Sequence, residues 1–165
     1  MKPHPIRLVS AFALSLCAVA GASAADNLDP SQGRMLVAPF YEALNAAPGK
    51  DVGAMIGQAT GADWVSCGAN DVCAPRDKVI SGISGFHKAI PDLKWEIKEL
   101  IVSGNQIIVR GEASGTPAGA FMGVPHGGKS FQIMSIDIHT IDSGKIVRSH
   151  HVEDWIGATR QLSGK

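Results

Sequence analysis

The chain has 165 residues, 45% of them hydrophobic, and its 15 basic and 15 acidic side chains leave no formal net charge. That length suffices for one domain with a real core and is short for two. No basic stripe or arginine–aromatic interleaving is present, which argues against nucleic acid as a partner.

The first residues read as a leader rather than as part of the fold. Lys2 and Arg7 precede an apolar run from Leu8 to Ala20, and Ala22-Ser23-Ala24 has the small residues of a cleavage site. Residues 1–24 are therefore read as a signal peptide and residues 25–165 as one domain. The run is too short and too poorly flanked to span a bilayer as a mature helix, and no later run reaches spanning length. The expected location is periplasmic or secreted, with no membrane association after cleavage. Removing Lys2 and Arg7 leaves 15 − 2 = 13 basic against 15 acidic side chains, a net charge of −2. Cleavage also removes Cys17 and leaves Cys67 and Cys73, an even pair that in an exported chain reads as a disulfide. Gly68, Asn70 and Asp71 supply the turn between them. A metal pair and free thiols are the alternatives.

Helical signals come next. Met35, Leu36, Phe40 and Leu44 recur at helical spacing, with Pro39 expected to kink or restart the helix. Asp51 is placed to cap a second helix carrying Val52, Met55, Ile56 and Ala59. Asp77 is placed to cap a third, with Val79, Ile80, Ile83, Phe86 and Ile90 on one face, stopped by Pro91.

Strand signals follow. Leu93, Trp95, Ile97 and Ile101 alternate with polar residues for most of their length, Ser103-Gly104-Asn105 is a hairpin signal, and Gln106 to Ala113 returns. A Gly/Pro-rich loop from Ser114 to Gly128 leads to a long strand from Lys129 to Ile141. Asp142-Ser143-Gly144 turns it into a last strand, Lys145 to Asp154. Helices first and an antiparallel meander afterwards predict an α+β fold, its N-terminal helices packed on a curved antiparallel sheet that forms a cone-shaped pocket.

With these elements in place the chain resembles the SnoaL-like polyketide cyclase (ester cyclase) family, within the cystatin-like α+β cone superfamily. The residues that carry the likeness are Ile90-Pro91-Asp92-Leu93, Gly115-Thr116 with Gly119, Phe121-Met122-Gly123-Val124-Pro125, Gly144-Lys145-Ile146-Val147, Asp154 and Gln161-Leu162. They extend over roughly Pro30 to Leu162, and their order and spacing are more specific than any one of them. The resemblance implies intramolecular aldol-type chemistry without metal or cofactor, run by an aspartate on the last strand and a histidine on the strand before. Counted without gaps from Gly144-Lys145-Ile146, the aspartate's position holds His151 and the histidine's holds Asp137. The pair appears with its residue types exchanged between strands. Asp154 matches an aspartate common in the wider family.

Asp137, His139, His150, His151 and Asp154 all fall at or near the final hairpin, and His and buried carboxylates trade protons near neutral pH. Ser135, Asp137 and His139 share one strand face opposite Met134, Ile136 and Ile138. Ser149, His151 and Glu153 share a face of the last strand, and only one of its two faces reaches a pocket unless a bulge intervenes. The expected catalytic residues are Asp137, His151, Asp154 and His139, with capping of the C-terminal segment as the structural alternative for Asp154. Tyr41, Trp64, Trp95, Phe121 and His126 are the candidate pocket residues, with plain core packing as the alternative for the aromatics. No ligand spacing matches a strong metal motif, and the resemblance implies that neither metal nor cofactor is needed. The expected partner is a small apolar carbonyl compound or ester, and the apolar sheet face suits a homodimer. A non-catalytic binding protein and an ester or epoxide hydrolase are the competing functions.

Overall fold

The computed structural model describes residues 28–47, 49–70 and 72–164, so the leader expected at residues 1–24 lies outside the described residues. Helix α1 (Pro30–Leu44) starts where local chemistry directs: Asp29 accepts from the backbone N–H groups of Ser31 and Gln32, Gln32 reaches back to the Asp29 N–H, and Pro30 occupies the first turn. The helix runs unbroken through Pro39 rather than restarting there. Its buried stripe is Gly33, Val37, Phe40, Tyr41 and Ala43, whereas Met35 is exposed. Asp51 caps α2 (Val52–Ala59) through the Ala54 N–H. Helix α3 (Arg76–Ala89) has no side-chain cap; Asp77 stands inside its first turn, not before it.

Two strands were not expected. Strands β1 (Thr60–Ala69) and β2 (Val72–Pro75) form a hairpin in which Cys67 and Cys73 face one another, joined by the disulfide. Strands β3 (Lys94–Ser103), β4 (Gln106–Gly115), β5 (Phe131–Asp142) and β6 (Lys145–Glu153) are the expected meander, followed by α4 (Trp155–Ser163). The sheet order is β2-β1-β6-β5-β4-β3, antiparallel except where β1 lies parallel to β6. At the β5–β6 turn Ser143 and Gly144 both adopt positive φ, 51° and 71°, the conformation a tight two-residue hairpin requires. The architecture is α+β, as expected.

The core lies between the inner sheet face and the helices. Along β5 the buried residues are Phe131, Ile133, Ser135, Asp137, His139 and Ile141, while Gln132 and Met134 face outward. The ionisable face of β5 is thus the inner one. On β6 the register shifts between Thr140 and Ile141 of its partner, and beyond it Ser149 is buried and His151 and Glu153 are half-buried. The bulge sets which face of β6 turns inward. Gly111 on β4 leaves room at the sheet's centre: a Cβ there would stand 2.5 Å from Ser135 Oγ and 2.9 Å from Trp95 Nε1, atoms that hydrogen-bond to each other at 3.2 Å.

Candidate functional site

A cavity of about 260 Å3 opens between the inner sheet face and the helices. Its apolar walls are Phe40 and Leu44 of α1, Val79, Ile83 and Phe86 of α3, and Leu93, Trp95 and Trp155. Asp137, His151 and Glu153 supply the ionisable groups, with Ser66 beside them. Asp137 and His151 are direct cross-strand neighbours on β5 and β6, so the strand register itself brings carboxylate and imidazole to one wall.

The two groups are tuned by different causes. Asp137 is only 4% exposed, and burial pushes its carboxyl up to about 7, opposed by the hydrogen bond it accepts from Tyr41. Nearby Glu153 raises it further and His151 lowers it. His151 is raised above the usual histidine value because its Nδ1 meets Glu153 Oε1 at 2.8 Å, which favours the imidazolium against the cost of burial. The wall therefore holds a carboxyl able to gain or lose a proton near neutrality beside an imidazole biased toward the cation.

Beneath the wall the polar groups continue into the core. Tyr41 Oη–H donates to Asp137 Oδ2 at 2.9 Å, and His139 Nε2 meets Tyr41 Oη at 3.0 Å. His139 Nδ1 lies 2.8 Å from Ser149 Oγ, which accepts from Trp64 Nε1–H at 3.0 Å. His139 is fully buried, and burial lowers it to about 3, so it is a neutral imidazole. Burial, reinforced by Asp137, likewise holds the Tyr41 phenol well above its usual value.

The remaining expected site residues separate sharply. Trp95 is on the cavity wall. Tyr41 and His139 stand behind it, and Trp64 lies deeper, with 1% of its surface exposed. Phe121 packs against Trp155 and Phe86, two cavity-lining aromatics, at ring distances of 5.9 and 6.2 Å, so it backs the wall without lining the cavity. Two expectations are corrected. Asp154 is exposed and caps α4, accepting from the Gly157 N–H at 2.8 Å, because the strand has ended and its carboxylate is held by the helix start. His126 is exposed in the loop before β5, beside a separate shallow depression with Gly127 and Lys129.

Sequence reasoning passed over Glu153 as a site residue, although its place two residues after His151 on one strand face was the available signal. Ser149 and the α3 wall carry no comparable mark. Among the described residues no group of three or more His, Cys, Asp or Glu side chains is arranged to hold a metal ion. No helix of the described residues is long and apolar enough to cross a membrane.

Comparison with known proteins agrees with this fold. The model of the SnoaL-like polyketide cyclase family matches residues 55–162, about two thirds of the chain. Among solved structures, TsrD from Streptomyces laurentii superposes with a TM-score of 0.71 at 23% identity, over 84% of this chain and 99% of its own. A SnoaL-like polyketide cyclase from Agrobacterium tumefaciens gives 0.65 at 20% identity, over 79% and 97%. An LEH-like epoxide hydrolase from M. tuberculosis gives 0.60 at 12% identity, over 81% and 90%. No curated protein matches the sequence significantly.

Proposed function

Because the chain belongs to the SnoaL-like polyketide cyclase family, we propose that it acts on a small, largely apolar carbonyl compound or ester by acid–base catalysis that needs no cofactor. The observation that carries the reading is Asp137, a buried carboxyl brought to about 7 on the wall of an otherwise apolar cavity, beside the His151–Glu153 pair. A base works best when its pKa lies near the operating pH. Asp137 takes the proton from the carbon next to the substrate carbonyl; the C–H electron pair moves into the enolate, and the oxygen's new negative charge is stabilised by the His151 imidazolium. Protonated Asp137 then returns its proton to the product. The exchanged Asp/His arrangement keeps a base and an electrophile facing one substrate while moving the base to β5.

The protein is also proposed to work outside the cytoplasm. The leader-like residues 1–24 and the Cys67–Cys73 bond support that reading. A homodimer through the outer sheet face is favoured by the row Ile101, Ile108 and Ile138 across β3, β4 and β5 and by the adjoining pair Ile136 and Val152. Met134 and Val152 on that face are 54% and 61% exposed.

Deuterium wash-in tests the chemistry directly. Aryl ketones and β-keto esters incubated in D2O with the protein are expected to gain deuterium at the α-carbon faster than in buffer alone, and Asp137→Asn is expected to remove that acceleration. Probes that quench Trp95 and Trp155 fluorescence yet gain no deuterium identify a non-catalytic binding protein instead.

A further inference from the structure

The hydrogen bonds behind Asp137 admit one satisfied direction, and that direction bears on how the base is held. Trp64 Nε1 can only donate, so Ser149 Oγ accepts from it and points its own proton elsewhere. Among the described residues Ser149 Oγ has one other partner, His139 Nδ1. The serine hydroxyl therefore donates to Nδ1, and neutral His139 carries its proton on Nε2. Nε2–H donates to Tyr41 Oη, and the phenol donates to Asp137 Oδ2. The opposite direction puts a proton on Nδ1 and leaves the Ser149 hydroxyl proton with no acceptor, which is costly at a residue 1% exposed.

The other end of the chain is equally defined. No buried side-chain nitrogen or oxygen lacks a partner among the described residues. Asp137 Oδ1 makes no hydrogen bond to the described residues, so it is not sealed in, and the space it reaches is the cavity that Asp137 lines.

Resting on the functional reading above, we propose that Trp64, Ser149, His139 and Tyr41 form a positioning network that holds Asp137 by Oδ2 and presents Oδ1 as the proton-accepting atom. His139, expected from sequence to be catalytic, acts through Tyr41 and touches no substrate. Each group has its neighbours fixed: Phe40 packs edge-on against Tyr41, Trp64 and His139 at ring distances of 5.4, 5.7 and 5.1 Å, which restricts the imidazole to one orientation. The charged or titratable groups facing Asp137 are Tyr41 from α1, Glu153 and His151 from β6. Those facing His139 are Tyr41 from α1 and His151 from β6.

Nuclear magnetic resonance of the full chain labelled with 15N-histidine and 13C-aspartate tests the network without a substrate. In the wild type His139 is expected as the Nε2–H tautomer throughout pH 5–8. Ser149→Ala lies three hydrogen bonds from Asp137, yet is expected to populate the Nδ1–H tautomer and to raise the Asp137 titration midpoint. Ser149→Thr, which restores the hydroxyl, is expected to return both toward wild type. Tyr41→Phe is expected to raise the midpoint by about one unit, a tenfold change in proton affinity, through loss of a hydrogen bond to the ionised form. A wild-type Nδ1–H tautomer, or a folded Ser149→Ala protein with an unmoved Asp137 midpoint, overturns the network. If the resonances behave as expected while no carbonyl probe exchanges deuterium, the network stands and the acid–base function fails.

Discussion

Replacing Asp137 with Asn should make the protein more stable at alkaline pH, and the pH dependence of that gain is the informative quantity. Asp137 titrates at about 7 in the fold against 3.8 for a free side chain. The folded state therefore binds the proton more tightly than the unfolded state. Its contribution to stability is complete below about pH 4 and is lost as pH rises through 7. At about 1.4 kcal/mol per tenfold, the difference sets a ceiling of roughly 4 kcal/mol above pH 7. His139 runs the other way: lowered to about 3 from 6.5, it stabilises above pH 6.5 and is lost as pH falls through 3. Between about pH 4 and 6.5 the two slopes are opposite and of equal size, so wild-type stability should be nearly flat in that window. Asn keeps the acceptor for Tyr41 and carries no charge, so the variant exposes the His139 slope alone, rising by about 1.4 kcal/mol per pH unit. Urea denaturation at half-unit intervals from pH 4 to 8 reads these slopes. Equal stabilities at pH 4 diverging in the variant's favour by pH 8 are expected. Wild-type and variant curves that run parallel would refute the assignment of a raised, burial-driven Asp137.

Four further outcomes are expected. His151→Gln should slow deuterium wash-in by roughly 10²–10⁴-fold while probe binding, measured by tryptophan quenching, changes far less, since apolar walls supply most of the contact. Asp154→Ala should cost about 1 kcal/mol in denaturation, through loss of the α4 cap, and leave wash-in unaffected. Cys67→Ser with Cys73→Ser should cost roughly 2 kcal/mol, the chain-entropy value for so short a loop, by the same measurement. If the proposed homodimer forms through the outer sheet face, Ile138→Lys there should shift sedimentation velocity to the monomer while circular dichroism is retained.

Much of the cone was legible because its β3–β6 meander alternates polar and apolar residues, and because Asp51 and Ser143-Gly144 mark a helix start and a turn by local chemistry. The β1–β2 hairpin was not. Thr60–Ala69 buries Trp64, Ser66 and Cys67, but Gly61 and Gly68 interrupt any simple alternation, and the pairing that stabilises it comes from a strand far along the chain. The site was half legible. Period two on β5 placed Asp137 and His139 on one face, yet depth along that face decides their roles: Asp137 reaches the cavity, and His139, two residues further on, lies behind Tyr41. Asp154 misled because helix caps and catalytic carboxylates share a residue type, and the step from strand to α4 falls between Glu153 and Trp155.

The parallel contact between β1 and β6 imposes an order of assembly. Every other strand pair in the sheet joins consecutive strands, whereas Val65 meets Arg148 from roughly 80 residues away, and its closure entropy must be met before either strand gains from the pairing. The β3–β5 meander can form from nearby segments, but β6 acquires its second neighbour only when the N-terminal hairpin docks. Since that docking also brings α3 over the sheet, and α1 joins it through contacts such as Tyr41–Asp137 from 96 residues away, the inner cavity is expected to be completed by non-local steps of folding, the kind that sets the slow rates of high-contact-order domains. Recovery of ligand binding during refolding should therefore lag behind recovery of sheet structure.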